Sequence, residues 1–173
     1  MKAVLMSIRP KWVKLIESGK KTVEVRRSYP AKLMNSVDLS EPFKVFIYCS
    51  RGKDRLVDIM RDGEMICGEV YHGKPVFITI SEEGTHRFRQ MVIGEFTCRN
   101  VRTYMMDTAS IEYLSEVGCM SEIEILKYAG NRMRLYSWEI SDLKWYGNPK
   151  PLSDFGLTRP PQAWQYVEVP DDL

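Results

Sequence analysis

Histidine is scarce in this chain, at two of 173 residues, and the four cysteines stand far apart. Cys49, Cys67, Cys98 and Cys119 form no C-x-x-C pair, and with His72 and His86 they match no zinc-ligand spacing. The cysteines therefore read as reduced residues in or near a core, and neither a metal nor a cofactor is expected. Long apolar runs are missing too: no stretch approaches the roughly 18 residues a membrane helix needs. Ala3-Val4-Leu5-Met6 follows Lys2 like the start of a leader, but it is too short for a signal-peptide core and meets Arg9 and Pro10. A cytoplasmic protein with no membrane partner is the expectation. Repeats, low-complexity tracts and linker-like segments are absent, which fits one domain over 173 residues.

What is present is an uneven charge. The formal net charge is only +2, yet residues 1–61 hold 14 Lys and Arg against 6 Asp and Glu, a net of +8, and the remainder is acidic. A basic segment on a near-neutral protein is the electrostatic footprint of a polyanion partner, provided the charges also cluster in space.

The local patterns predict a mixed fold. Lys2–Ser7 reads as a strand, and Pro10 suits the first turn of a helix whose apolar face is Trp12, Leu15 and Ile16. Gly19 marks its end. Thr22 to Arg26 alternates, which puts Val23 and Val25 toward the core and Thr22, Glu24 and Arg26 on the opposite face. Residues 29–42 read as loop, and Phe43–Cys49 as a strand. Two further strands are expected near Met65–Tyr71 and Pro75–Ile80, between turns at Asp62-Gly63 and His72-Gly73, with a loop at Ser81–His86. Gln90–Tyr104 reads as one long strand in which Gly94 permits a bulge or a close backbone approach. Asp107 can cap a helix that ends at Gly118. Ser121 and Glu124 fit a capping box for a second helix that ends at Gly130. Strands at Met133–Ile140 and Ala163–Val169 flank a stretch from Tyr146 to Pro161 broken by proline, glycine and asparagine. About seven strands and three short helices, without strict βαβ alternation, make an α+β fold with a small barrel-like sheet.

Several segments carry a family resemblance. Gly19-Lys20-Lys21-Thr22-Val23-Glu24-Val25-Arg26 fits G-x-K-x-x-E-x-R and follows a strand–helix unit opened by Ser7-Ile8-Arg9-Pro10. Val92-Ile93-Gly94-Glu95-Phe96 and Met133–Ile140 come next in order. The tail follows, with Leu152-Ser153-Asp154-Phe155-Gly156 and Arg159-Pro160-Pro161-Gln162-Ala163-Trp164-Gln165-Tyr166-Val167. Together they resemble the ASCH domain, a member of the PUA-like superfamily, in its phage and bacterial single-domain form. The resemblance implies a single domain over residues 1–173, with an insertion-like segment at about 51–89. It also implies a PUA-like small β-barrel of about six to seven strands with three short flanking helices, and a cleft beside the first helix and the G-x-K-x-x-E-x-R strand. The resemblance further implies a link to RNA or DNA binding, to which relatives have been assigned, while some relatives are similar to amidohydrolases of acetylated cytidine or to ribonucleases.

The candidate site follows from that motif. Lys21 matches its lysine and would contact a phosphate or base, or act as a general base if burial lowers its pKa. Glu24 would orient Lys21 or accept a hydrogen bond from a base amino group, and Arg26 would meet phosphate or stack on a base; a structural Glu–Arg pair is the bland alternative. Lys20 adds charge beside them. Ser7, Arg9 and Lys11 open a helix N-terminus that favours a phosphate oxygen, although local capping explains them equally. Tyr48, Ser50 and Arg51 end a strand beside a basic loop, and Arg159 precedes two prolines near the expected cleft. Aromatics on the late strands, Tyr136 with Trp138 and Trp164 with Tyr166, suit base stacking or, more simply, core packing.

These residues support nucleic-acid binding, with RNA or a modified nucleobase as the partner. The alternative is a metal-independent hydrolase of a nucleoside amide or of RNA phosphodiesters, using Lys21 and Glu24. An adaptor that offers an apolar patch to another protein is a third reading. The amidohydrolase branch carries a threonine nucleophile where this chain has Glu24, and Thr22 should point away from Lys21, so acyl transfer by that route is disfavoured.

Overall fold

The structure, a computed structural model, describes residues 1–34, 41–50 and 90–170, together with the backbone of short strands between 57 and 87. Its elements in chain order are β1 (Lys2–Ile8), α1 (Pro10–Glu17), β2 (Val23–Arg26), β3 (Phe43–Cys49), β4 (Val57–Arg61), β5 (Glu64–Cys67), β6 (Val70–Tyr71), β7 (Lys74–Pro75), β8 (Thr85–Arg87), β9 (Val92–Cys98), β10 (Val101–Met105), α2 (Thr108–Gly118), α3 (Glu122–Ala129), β11 (Arg134–Glu139), β12 (Ser141–Lys150) and β13 (Trp164–Glu168). The chain divides into two compact units. One comprises Met1–Lys14, Val45–Glu95 and Leu143–Leu173; the other comprises Leu15–Lys44 and Phe96–Asp142.

The main sheet of the first unit has the strand order β12-β9-β3-β1-β13. Strand β1 runs parallel to β3 and antiparallel to β13. A strand flanked on both sides and covered on both faces cannot alternate polar and apolar residues. Val4, Leu5 and Met6 are accordingly all fully buried. Ala3, Leu5, Phe46, Tyr48, Val92, Tyr146, Phe155 and Val167 close a core on one side of this sheet. The second unit holds a sheet of order β10-β11-β2, both neighbours antiparallel to β11. Helices α2 and α3 lie on one of its faces, where Leu114, Ile125 and Ala129 pack with Val23, Val25 and Leu135. Among the described residues the pairing leaves both sheets open, so the α+β class holds while no closed barrel is formed by these strands.

Helix boundaries follow the expected chemistry. Asp107 accepts from the Ser110 amide at 2.9 Å, and Ser121 with Glu124 forms the complete capping box. Gly19 ends α1 with φ +70°. Helix α2 ends at Gly118 as expected, and the left-handed residue that follows is Cys119, at φ 53°. The glycine serves a different need there. A Cβ on Gly118 would lie 3.0 Å from Val25 Cγ2, so a bare backbone lets α2 approach β2.

The long strand expected over 90–104 is two strands, broken at Arg99-Asn100. The break is held from β11, because Asn100 Nδ2 donates to Glu139 Oε2 at 2.7 Å and the Glu139 amide donates to the Asn100 carbonyl at 2.9 Å. The turn-rich stretch expected from Tyr146 begins inside β12, which continues to Lys150 through Gly147 and Pro149. It is an edge strand, where a proline's missing N–H leaves no ladder bond unmade. Within 51–89, β5 and β6 fall on the strand expected near Met65–Tyr71, the strand expected at Pro75–Ile80 lies outside the described residues except for Pro75 in β7, and β8 occupies part of the expected Ser81–His86 loop. The turns expected at Asp62-Gly63 and His72-Gly73 lie outside the described residues.

Gly94 does make the close approach expected of it. A Cβ there would come within 2.6 Å of the Lys144 carbonyl oxygen and 2.8 Å of the Trp145 ring, neither of which can yield cheaply. Gly94→Ala should therefore cost about 2 kcal/mol, read as a lowered urea midpoint with an unchanged slope.

Two buried groups lower stability at alkaline pH. The Tyr146 hydroxyl donates to Glu95 Oε2 at 2.5 Å, and burial, then that carboxylate, pushes its ionisation far upward. Burial pushes the Cys98 thiol up to about 12. Each keeps its proton in the folded state at a pH where the unfolded chain has lost it. Stability is thus full below about pH 8 and declines as pH rises above that. Urea midpoints should fall between about pH 8 and pH 10.5, and Cys98→Ala or Tyr146→Phe should each flatten the fall.

Candidate nucleic-acid interface

The segment joining α1 to β2 is stitched onto the last turn of α2. A helix C-terminus leaves carbonyls without intrahelical partners. Here the Thr22 amide donates to the Val117 carbonyl at 3.1 Å, and Lys21 Nζ donates to the Gly118 carbonyl at 2.7 Å. In return Cys119 Sγ donates to the Lys20 carbonyl at 3.2 Å. The negative end of the helix dipole favours a cation there, which accounts for a lysine drawn inside.

Lys21 is only 2% exposed, Glu24 5% and Arg26 8%. Three charged side chains can be buried together only if they compensate one another. Glu24 lies between the two cations, with Oε2 3.3 Å from Lys21 Nζ and Oε1 3.0 Å from Arg26 Nη2. Strand register continues the set. Glu24 stands opposite Trp138 and Arg26 opposite Tyr136, so all four share the sheet face turned away from α2 and α3. Trp138 is fully buried, meets Phe43 edge-on at 5.9 Å and donates through Nε1 to the Ser28 carbonyl at 3.3 Å. Tyr136 packs on Tyr29 at 5.0 Å.

The expected alternation along β2 is therefore present, but its consequence differs. The charged face was expected to line an open hollow, and instead Lys21, Glu24 and Arg26 are covered and joined to each other. Thr22, by contrast, is exposed, which separates its hydroxyl from the buried lysine. Lys20 is exposed immediately before the trio, and Arg27 immediately after it.

The other candidates fall in the first unit. Arg9 and Lys11 are exposed at the start of α1, Lys11 Nζ lying 4.3 Å from the Trp12 ring centre. Ser7 is half-buried and donates to the Pro161 carbonyl at 2.7 Å, a bond that ties β1 to the chain beside Arg159, itself exposed. Ser50 donates to the Ile8 carbonyl at 3.3 Å. Tyr48 is 1% exposed within the core and offers no ring face to a ligand, as the alternating strand pattern could not by itself decide. Trp164 and Tyr166 are half-buried and meet edge to face at 5.4 Å. Arg51 lies outside the described residues. The contributions of the Gly118 carbonyl and of Tyr29 leave no signal in the sequence, where Gly118 marks only a helix end.

No group of three or more His, Cys, Asp and Glu side chains comes together among the described residues, and no described helix is long and apolar enough to cross a membrane.

Comparison with solved structures finds the same architecture in the crystal structure of ASCH from Zymomonas mobilis. The two are 18% identical, with a TM-score of 0.60 over 96% of this chain and 87% of that one. A tyrosine-to-phenylalanine mutant of that protein matches at 17% identity and TM-score 0.57, over 97% of this chain and 91% of that one. A serine-to-alanine mutant matches at 18% identity and TM-score 0.56, over 96% and 88%. No protein-family model and no curated protein matches the sequence. At these identities the likeness speaks to the fold, and the chain has the α+β fold seen in those ASCH structures.

Removing Glu24 would leave two buried cations facing each other. Glu24→Ala should destabilise the protein by about 3–5 kcal/mol, and Lys21→Met should cost less because the carboxylate keeps Arg26. Chemical denaturation of both variants checks the order; equal effects would contradict the central place of Glu24.

Proposed function

We propose that this ASCH-fold chain binds nucleic acid, RNA in the first instance, or a modified nucleobase, using the Lys21–Glu24–Arg26 face of β2. The supporting observation is the buried pairing of these three motif residues beside two aromatic rings, with exposed Lys20 and Arg27 on either side in sequence. Residues 1–173 act as one ASCH domain in this reading, with an insertion at about 51–89. Burial shapes the mode. A row of covered charges does not suit a long track of phosphates, which calls for solvent-facing cations. It suits one base edge inserted among aromatic and charged groups, while outer cations hold the backbone.

Fluorescence anisotropy with short RNAs over a salt series tests this. Lys20→Ala should lower the salt slope by about 0.7, the loss of one phosphate contact on a single strand. Lys21→Ala should weaken binding by about tenfold or more. Wild-type protein that binds no RNA and no nucleoside would overturn the reading.

One observation favours a second reading. Lys21 Nζ and Glu24 Oε2 converge to 3.3 Å, within reach of a shared water or substrate proton. A metal-independent hydrolase of a nucleoside amide or of RNA would use Glu24 as base on water, with Lys21 stabilising the developing charge. Acetylcytidine or RNA turned over by wild-type protein, and not by Lys21→Ala, would support it.

A further inference from the structure

Glu24 holds an oxygen that is ion-paired but not hydrogen-bonded among the described residues. Oε1 is engaged by Arg26, whereas Oε2 is fully buried and accepts no hydrogen bond among the described residues. Lys21 Nζ is its ion-pair partner at 3.3 Å and also gives a 2.7 Å hydrogen bond to the Gly118 carbonyl. A buried carboxylate oxygen without a donor is costly, more so than a neutral acceptor. An ionised carboxylate only accepts. Any ligand atom that satisfies Oε2 must therefore carry an N–H or O–H, and a phosphate oxygen at that point would meet like charge. Beside Oε2, 3.3 Å away, the ammonium of Lys21 can donate. An acceptor next to a donor is the complement of a nucleobase edge, where an N–H sits beside a carbonyl oxygen or ring nitrogen. Tyr136 shares this sheet face, packed on Tyr29.

We infer that Glu24 is a specificity-determining residue: its Oε2 accepts an N–H from the edge of a bound nucleobase, with Lys21 meeting the acceptor beside it, so that the base and not the phosphate enters the buried part of the site. The inference rests on the nucleic-acid reading above and adds to it the group that is read.

Blocking the N–H on the ligand tests this without touching the protein. Binding is measured by calorimetry for cytidine against N4,N4-dimethylcytidine, adenosine against N6,N6-dimethyladenosine, and uridine against 3-methyluridine, with inorganic phosphate as a separate probe. The best-bound parent should lose about tenfold or more when its N–H is methylated, and phosphate should not compete with it. In Glu24→Gln, checked for a folded circular-dichroism spectrum, the parent-to-methylated ratio should shrink toward one, because a neutral amide accepts more weakly and can turn its NH2 inward. RNA binding that tolerates methylation at every base, or a nucleoside displaced by phosphate, would overturn the role of Glu24 and leave the nucleic-acid reading standing. No binding of any nucleoside or RNA would overturn both.

Discussion

Lys21 is taken out of water, and much of the second unit can be understood from what that requires. A lone buried ammonium is prohibitively costly. This one is offset by the free carbonyl end of α2 and by the carboxylate three residues further on. The Gly118 position lets the helix come close enough to β2 for that bond to form, since a side chain there would press on Val25. Glu24 in turn is held by Arg26, so three charges and one helix terminus form a single neutralising arrangement.

That arrangement gives β2 two buried faces of opposite character. Val23 and Val25 pack with α2, α3 and Leu135 in an ordinary apolar layer. Glu24 and Arg26 lie on the other side with Tyr136 and Trp138. An apolar layer alone would hold the sheet as well or better, because buried ion networks seldom add net stability over hydrophobic packing. Charges kept inside at that expense mark the place as a candidate for chemistry, and the Oε2 of Glu24, which accepts no hydrogen bond among the described residues, is its particular atom.

The ASCH fold supplies the frame, but a frame shared at 18% identity does not carry an activity with it. Here the site speaks through geometry. An exposed Thr22 and a buried Lys21 cannot make the hydroxyl–amine pair that acyl transfer would ask for, whereas Lys21 and Glu24 do converge. Exposed cations at positions 9, 11, 20 and 27 show that part of the basic excess in the first third of the chain does face solvent.

The amino-acid sequence alone determined the local features: the start and stop of α1, the Asp107 cap, the Ser121–Glu124 capping box, the alternation along β2 and the close approach at Gly94. Each depends on chemistry within a few residues, or on the absence of a side chain. It also marked Lys21, Glu24 and Arg26 as a set, because they share one short motif. Only tertiary structure decided that these charges are covered, that Tyr48 belongs to a core, that Asn100 breaks a strand by bonding to Glu139, and that Pro149 continues one. Burial and strand pairing depend on partners such as Gly118 and Tyr136, which lie about a hundred residues from Lys21 and Arg26 and leave no periodic trace beside them.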